Sequence, residues 1–150
     1  MSTEADTTGA IADIVAMEVL DRVALSTLAR DVAGVSLQEL IAAFVTELRD
    51  RAVRVENGAA TGDFGTIGHE SHALKSSAAT FGAVRVASIA AALDAACKAD
   101  RTEPVPVLVR ALKTCIEPTV SALLITGDSG KRRGTPGDEF ADRLDRVGVS

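Results

Sequence analysis

The chain has 150 residues and a formal net charge of −5, so one domain with a buried core is the default, and the acidic balance argues against a concentrated basic nucleic-acid surface. Hydrophobic residues make up 47% of the chain, but Tyr and Trp are absent and Phe occurs only four times, which leaves no evident aromatic platform for stacking bases. A core built mainly from Ala, Val, Leu and Ile favours an all-helical domain over a sheet.

From the sequence we expect neither a membrane span nor a signal peptide. No apolar run approaches the roughly 18 residues that a span requires, and residues 1–9 are polar and acidic. We therefore expect a cytoplasmic protein that does not bind membranes. Residues 1–9 are expected to be a disordered leader and residues 10–125 a helical bundle. Gly and charged residues accumulate after position 125, so residues 126–150 are predicted to be a flexible C-terminal tail.

The first part of the domain is predicted to be helical. In residues 10–32, apolar residues recur at spacings that suggest one or two helical pieces. Ser36, with Glu39 three residues later, forms a capping-box pattern at the start of the next helix. We expect that helix to end at Asn57-Gly58. Its apolar stripe is Leu37, Leu40, Ile41, Phe44, Leu48, Ala52 and Val55.

Three further helices follow. Asp63 can cap the third helix, and Gly82 marks a break or tight bend after it. The inward stripe of this helix is Phe64, Ile67, Ser71, Leu74, Ala78 and Phe81. A fourth helix is predicted over residues 83–99. A fifth begins near Thr102, and Pro104 is tolerated in its first turn.

These helices predict an antiparallel four-helix bundle with an additional N-terminal helical segment packed across it or at one end, because they are long, amphipathic and joined by short connections. Pro118 should kink the fifth helix or end its regular part. Cys97 and Cys115 have no CxxC spacing and fall among apolar residues, so both are expected to be buried free thiols.

His72 is the candidate functional residue. At about 100° per residue, a core stripe centred near Ser71 places His72 roughly 120° from the core direction, on an exposed flank. Lys75 lies nearer the boundary, where its stem can cover apolar surface while its ammonium reaches outward. His69 and Ser76 point farther out, and small neighbours leave room for a second protein to approach the imidazole.

An exposed imidazole is partly unprotonated near neutral pH and is a good phosphoryl acceptor. Phosphoryl transfer needs mainly positioning and charge stabilisation, which Lys75 and the Ser71 and Ser76 hydroxyls can supply. An exposed histidine followed by a lysine is, however, more often an ordinary solvated surface, so spacing alone does not decide. His69 has no further ligands around it for a metal, and we interpret it as a solvent-facing bystander.

The run His72-Ala73-Leu74-Lys75-Ser76-Ser77-Ala78, followed by Phe81-Gly82-Ala83, resembles the signature of histidine-containing phosphotransfer domains. Their usual pattern is His-x-Leu-Lys-Gly-Ser-Ser/Ala, with a Gly about ten residues after the His. The resemblance extends over roughly residues 17–124 and includes Phe44, Asp63 and the pair Leu93-Asp94. One position departs from the pattern, since Ser76 stands where the family usually has Gly.

The resemblance implies a four-helix bundle in which His72 is phosphorylated reversibly, relaying a phosphoryl group between aspartates of response-regulator receiver domains. Lys75 would stabilise the phosphoryl group, with possible support from Ser76. Asp94 would be the polar residue near the histidine on the adjacent helix, although a surface acid is the commoner explanation. The chain would carry no cofactor or metal, and Mg²⁺ would be held by the receiver. A hybrid or sensor histidine kinase would complete its partners, and the chain would be a monomer.

Two alternatives remain open. The chain could be a non-catalytic helical adaptor whose histidine is incidental. It could also be the dimerisation and phosphotransfer domain of a histidine kinase, although such domains usually build their bundle from two chains and place an acid directly after the histidine, where this chain has Ala73. The chain has no Gly-rich phosphate loop or GxxxxGK[ST] motif, so we do not expect kinase activity of its own.

Overall fold

The computed structural model describes residues 9–14, 18–32 and 34–133, and these residues are helical apart from short connections and contain no strand. Residues 9–14 form a helical turn. The numbered helices are α1 (Arg22–Asp31), α2 (Leu37–Thr61), α3 (Phe64–Thr80), α4 (Val84–Lys98) and α5 (Val105–Arg133). Helix α2 packs against α3 and α5, and α4 packs against the same two helices. The prediction of an all-helical four-helix bundle is confirmed, and α1 lies against α3.

The predicted caps of α2 and α3 form as expected. The Glu39 amide donates to Ser36 Oγ at 3.0 Å, and the Ser36 amide donates to Glu39 Oε1 at 3.4 Å. The Asp63 carboxylate accepts from the Thr66 amide at 3.1 Å and from the Thr66 hydroxyl at 2.7 Å. These bonds satisfy amide groups in the first turn that have no partner within the helix.

The predicted end of α2 at Asn57-Gly58 is wrong. The helix continues to Thr61, and Gly62 caps it in the left-handed conformation with φ 73°. Gly58 is buried inside the helix, where an added Cβ would lie 3.0 Å from Ile67 Cγ1. Gly58 therefore allows α2 and α3 to approach each other closely, and Gly62 makes the turn.

Helix α5 is longer than the sequence predicts. It begins at Val105, directly after Pro104, and continues through Pro118 to Arg133, so Pro118 does not end it. The boundary predicted at residue 125 thus falls inside α5, and residues 126–133 of the predicted tail are helical. Residues 134–150, and residues 1–8 of the predicted leader, lie outside the described residues. None of the described helices has the length and apolar character needed to cross a membrane.

The core lies between the four long helices and is mainly aliphatic. Phe44 is fully buried and stacks on Phe81 with ring centroids 4.4 Å apart. Phe64, predicted to be inward, is instead 38% exposed at the start of α3. Both cysteines are free as predicted, but only Cys115 is buried, and Cys97 is half-buried. Burial raises the pKa of the Cys115 thiol to about 11.

The turn between α3 and α4 is fixed by Gly82. Its φ of 71° is left-handed, and a Cβ at this position would lie 2.4 Å from the Asp21 carbonyl oxygen. The Asp21 amide donates to the Gly82 carbonyl at 2.7 Å. The backbone that leads into α1 therefore holds the turn at the end of α3, and no residue with a side chain fits at position 82.

Candidate functional site

Helix α3 presents His72 to solvent. The His72 side chain is 60% exposed, whereas Ile67, Ser71 and Leu74 in the core-facing stripe of the helix are fully buried. The apolar stripe of α3 thus sets the direction in which the imidazole points.

Helix α4 places Asp94 beside this imidazole. The Asp94 side chain is only 5% exposed, and its Oδ2 atom lies 3.3 Å from His72 Nδ1. The same oxygen accepts from Lys75 Nζ at 2.9 Å and from Lys98 Nζ at 3.1 Å. Two lysines and a histidine from two helices therefore converge on one carboxylate oxygen.

The convergence keeps Asp94 ionised. Burial on its own would raise the pKa of Asp94, but hydrogen bonds from Lys75, Lys98 and His72 outweigh it and lower the pKa to about 2. At neutral pH the carboxylate carries no proton. The contact with His72 is then a hydrogen bond only if Nδ1 carries the proton. In the neutral ring this leaves a lone pair on Nε2, the usual condition for a nucleophilic imidazole.

The imidazole stands at the edge of an open surface depression of about 400 Å³. The depression is lined by Phe64, Gly65, Gly68, His69, His72, Asp94, Cys97 and Lys98. Gly68 lets α4 approach α3 here, since a Cβ on Gly68 would lie 3.2 Å from Cys97 Cβ. The small residues below the histidine thus leave space at the surface and also bring Asp94 within reach.

Comparison with known proteins identifies the fold that carries this site. The family model of the Hpt domain matches residues 39–122. The chain belongs to the histidine-containing phosphotransfer (Hpt) domain family. No curated protein matches the chain. A crystal structure of histidine-containing phosphotransfer protein B (HptB) from Pseudomonas aeruginosa PAO1 is similar, with a TM-score of 0.64 and 19% sequence identity. The similarity covers 79% of this chain and 98% of that one.

Hpt proteins are phosphotransfer intermediates of two-component phosphorelays, and membership in this family implies interaction with histidine kinases and response regulators. The matched residues include all of α3 and α4 and therefore every side chain of the Asp94 cluster, by which we mean Asp94, His72, Lys75 and Lys98. Helix α1 lies outside the matched range.

Two predicted hydroxyl donors do not join the Asp94 cluster. Ser71 is fully buried, and its Oγ has no hydrogen-bond partner among the described residues. Ser76 is exposed on α3, but its hydroxyl is not among the described contacts of His72, Lys75 or Asp94. The backbone carbonyl of Ser76 accepts a hydrogen bond from the Thr80 hydroxyl at 3.1 Å.

Sequence reasoning missed Lys98. A usable signal was present, because Lys98 follows Asp94 by four residues on the same helix, and acid–base pairs at that spacing lie side by side. The signal was weak because the same spacing is common on solvated faces. It gains meaning only once α4 is known to pack with Asp94 facing α3.

Proposed function

We propose that His72 accepts a phosphoryl group from the aspartyl phosphate of one receiver domain and passes it to an aspartate of a second. The observation that supports this most directly is the pairing of a 60% exposed imidazole with a buried carboxylate 3.3 Å from its Nδ1 atom. The carboxylate can hold the proton on Nδ1 and leave the lone pair on Nε2, which matters for a phosphoryl acceptor and not for a histidine that only faces solvent.

The contact with Asp94 gives the transfer a simple course. The Nε2 lone pair attacks phosphorus, the bond from phosphorus to the receiver carboxyl oxygen breaks, and its electron pair stays on that carboxylate. The Nδ1 proton remains in the hydrogen bond to Asp94, so the ring becomes a phosphorylated imidazolium without losing a proton. In the return step a receiver carboxylate attacks phosphorus, and the electrons of the N–P bond go back to Nε2. Neither direction needs a separate acid or base.

Lys75 is proposed to stabilise the phosphoryl group. Its ammonium is already within 2.9 Å of Asp94 on the same helical flank as His72, and its side chain is 37% exposed. Positive charge held near the transferring group is the main help that a protein can give to this reaction. The exposed Ser76 next to Lys75 in the chain is small enough to leave the approach open, and we propose it only as a supporting contact.

The remaining requirements fall to the partners. We propose that Mg²⁺ is bound by the receiver domain and that a hybrid or sensor histidine kinase supplies the phosphoryl group at the start of the relay. The chain itself would act as a cytoplasmic monomer. The four helices α2–α5 of the bundle come from one chain. This favours a monomeric phosphotransfer protein over a kinase dimerisation domain. A dimeric mass in solution would count against it.

The test is transfer of label from a phosphorylated receiver domain. We expect the wild type to acquire acid-labile, alkali-stable label and His72→Gln to acquire none, with unchanged helical content because the replaced side chain is exposed. His69→Gln is the matched control, since His69 lies one turn away on α3 and lines the same depression. Label that persists in His72→Gln, or that is lost only in His69→Gln, would exclude the proposed site. Receiver binding without any label would instead favour the adaptor.

A further inference from the structure

Asp94 has more cationic partners than its single charge requires. Lys75 and Lys98 both donate to Oδ2, at 2.9 and 3.1 Å, and the third position on that oxygen is taken by His72. One lysine would neutralise the carboxylate. The second lysine is therefore a surplus positive charge in the unphosphorylated site, and charge balance in that state does not explain it.

The proposed function supplies a use, and the inference rests on it. A phosphoryl group brings up to about two negative charges to His72, next to a carboxylate that cannot protonate near neutral pH. If Lys75 turned from Asp94 to the phosphoryl group and nothing replaced it, the buried carboxylate would keep only the Nδ1–H of the phosphorylated ring. The single positive charge of that ring is already outweighed by the charge of the phosphoryl group. The negative charges of the Asp94 carboxylate and of a phosphoryl group on His72 would repel each other strongly, because water is partly excluded from the site.

Lys98 is placed to reduce this repulsion between the Asp94 carboxylate and the phosphoryl group. It comes from α4, the helix of Asp94 itself, so its contact does not depend on the position of α3. Its side chain is 64% exposed and lines the depression beside His72, whereas Lys75 extends from the histidine helix. The other titratable groups around the depression are His69 and the half-buried Cys97. Neither replaces a lysine as the partner of Asp94.

We propose that Lys98 is a positioning residue that keeps Asp94 neutralised while Lys75 moves to the phosphoryl group. Lys75 acts directly on the transferring group, and Lys98 acts through Asp94. The site thus exchanges one partner of the carboxylate on phosphorylation and keeps the other.

This division of roles predicts a specific dependence between substitutions. Lys98→Gln should slow phosphoryl acceptance about threefold to fivefold in the wild-type background, the size expected for an ion pair that is partly exposed. In an Asp94→Asn background, where no charge needs neutralising, Lys98→Gln should cause no further slowing. Lys75→Gln should slow transfer in both backgrounds. Lys98→Arg should restore most of the lost rate, because the charge is kept.

The measurement is the rate of label transfer from a phosphorylated receiver to each full-length variant, with thermal unfolding to confirm equal folding. Lys113→Gln is the matched control, an exposed lysine on α5 away from the depression. Equal slowing by Lys98→Gln in both backgrounds would mean direct contact with the phosphoryl group and would overturn the proposal. A wild-type rate for Lys98→Gln would do the same. Either result leaves His72 in place if His72→Gln still abolishes label, so the two proposals fail separately.

Discussion

Two ionic clusters flank α3, and they look alike in composition. In the Asp94 cluster, on the side of α4, two basic side chains contact a carboxylate that is 5% exposed. On the side of α2, two basic side chains contact the Glu70 carboxylate, which is 10% exposed. This second group, here termed the Glu70 cluster, consists of Glu70, Arg51, Arg54, Glu47 and Ser77.

The clusters differ in what they leave open. In the Glu70 cluster, Arg51 bridges Glu70 at 2.7 Å and Glu47 at 2.9 Å, and Ser77 donates to Glu47 at 2.8 Å, so charges and hydroxyl are satisfied within the α2–α3 interface. The Asp94 cluster instead holds one side of an imidazole whose ring is exposed. A nearly buried carboxylate with paired cations is therefore not by itself a sign of function. The sign is a nucleophile that remains accessible.

The largest effect on stability should come from the Glu70 cluster. Glu70→Ala removes the partner of two arginines at a mostly buried position, and we expect a loss of about 2 kcal/mol in the free energy of unfolding. Phosphoryl acceptance at His72 should persist under conditions where the variant is folded. Chemical denaturation and label transfer measure the two quantities.

Glu117→Ala is the control for this experiment. Glu117 pairs with Arg49 between α2 and α5 at 2.8 Å, but both side chains are at least half exposed. Its removal should leave the unfolding midpoint nearly unchanged, since exposed pairs contribute little. Equal destabilisation by both substitutions would contradict the distinction between a buried and an exposed pair.

A smaller effect should appear in the pH dependence of stability. The pKa of Asp94 is about 2 in the folded protein against an ordinary value of 3.8. A lowered folded pKa means that the stabilisation is complete above about pH 5 and is lost as the pH falls through 4 towards 2. The contribution at neutral pH should be about 1–2 kcal/mol, which is less than the full pKa difference corresponds to, because the partner lysines Lys75 and Lys98 are partly exposed to solvent.

Denaturation of the wild type and Asp94→Asn across pH 2–6 tests this. The advantage of the wild type over the variant should shrink as the pH falls, because the wild-type carboxyl then becomes neutral as well. A difference that stays constant from pH 6 to pH 2 would show that the ionised carboxylate is not the source of the stabilisation.

The smallest effect compares two glycines on α3. Gly65→Ala meets only Asp63 Oδ1 at 3.6 Å and should stabilise the protein by about 0.5 kcal/mol through helix propensity. Gly68→Ala would press on Cys97 Cβ at 3.2 Å, so we expect it to lose that gain. Gly68→Ala should also slow transfer, because a shift of α4 away from α3 would move Asp94 away from His72. Equal gains and equal rates for both variants would show that the close contact of α3 and α4 is unimportant.

Sequence periodicity was sufficient to predict the exposed position of His72, because that position depends on the phase of one helix. The Ser36 and Asp63 caps were also predictable, since each involves bonds within a few residues. The resemblance to the Hpt family then placed Asp94 near the histidine, and the structure shows the contact directly.

The errors arise where the outcome depends on neighbouring helices. Phe64 continues the apolar stripe of α3, but periodicity does not indicate how much of the stripe is covered at the end of the bundle. Gly58 follows Asn and resembles a helix end, yet the contact with Ile67 gives it a different role. Glu70 could not be assigned from the sequence, because its arginine partners lie on α2. The spacing of Lys98 and Asp94 was visible in the sequence, but it could not be told from an ordinary surface pair until Asp94 was known to face α3.

The contact between Asp21 and Gly82 involves only main-chain atoms, an amide and a carbonyl meeting across 2.7 Å. It therefore constrains the two positions unequally. The side chain at position 21 can be substituted, provided that a helix can still start there, but position 82 accepts only glycine. Related chains should accordingly differ widely ahead of α1 while retaining a glycine ten residues after the histidine.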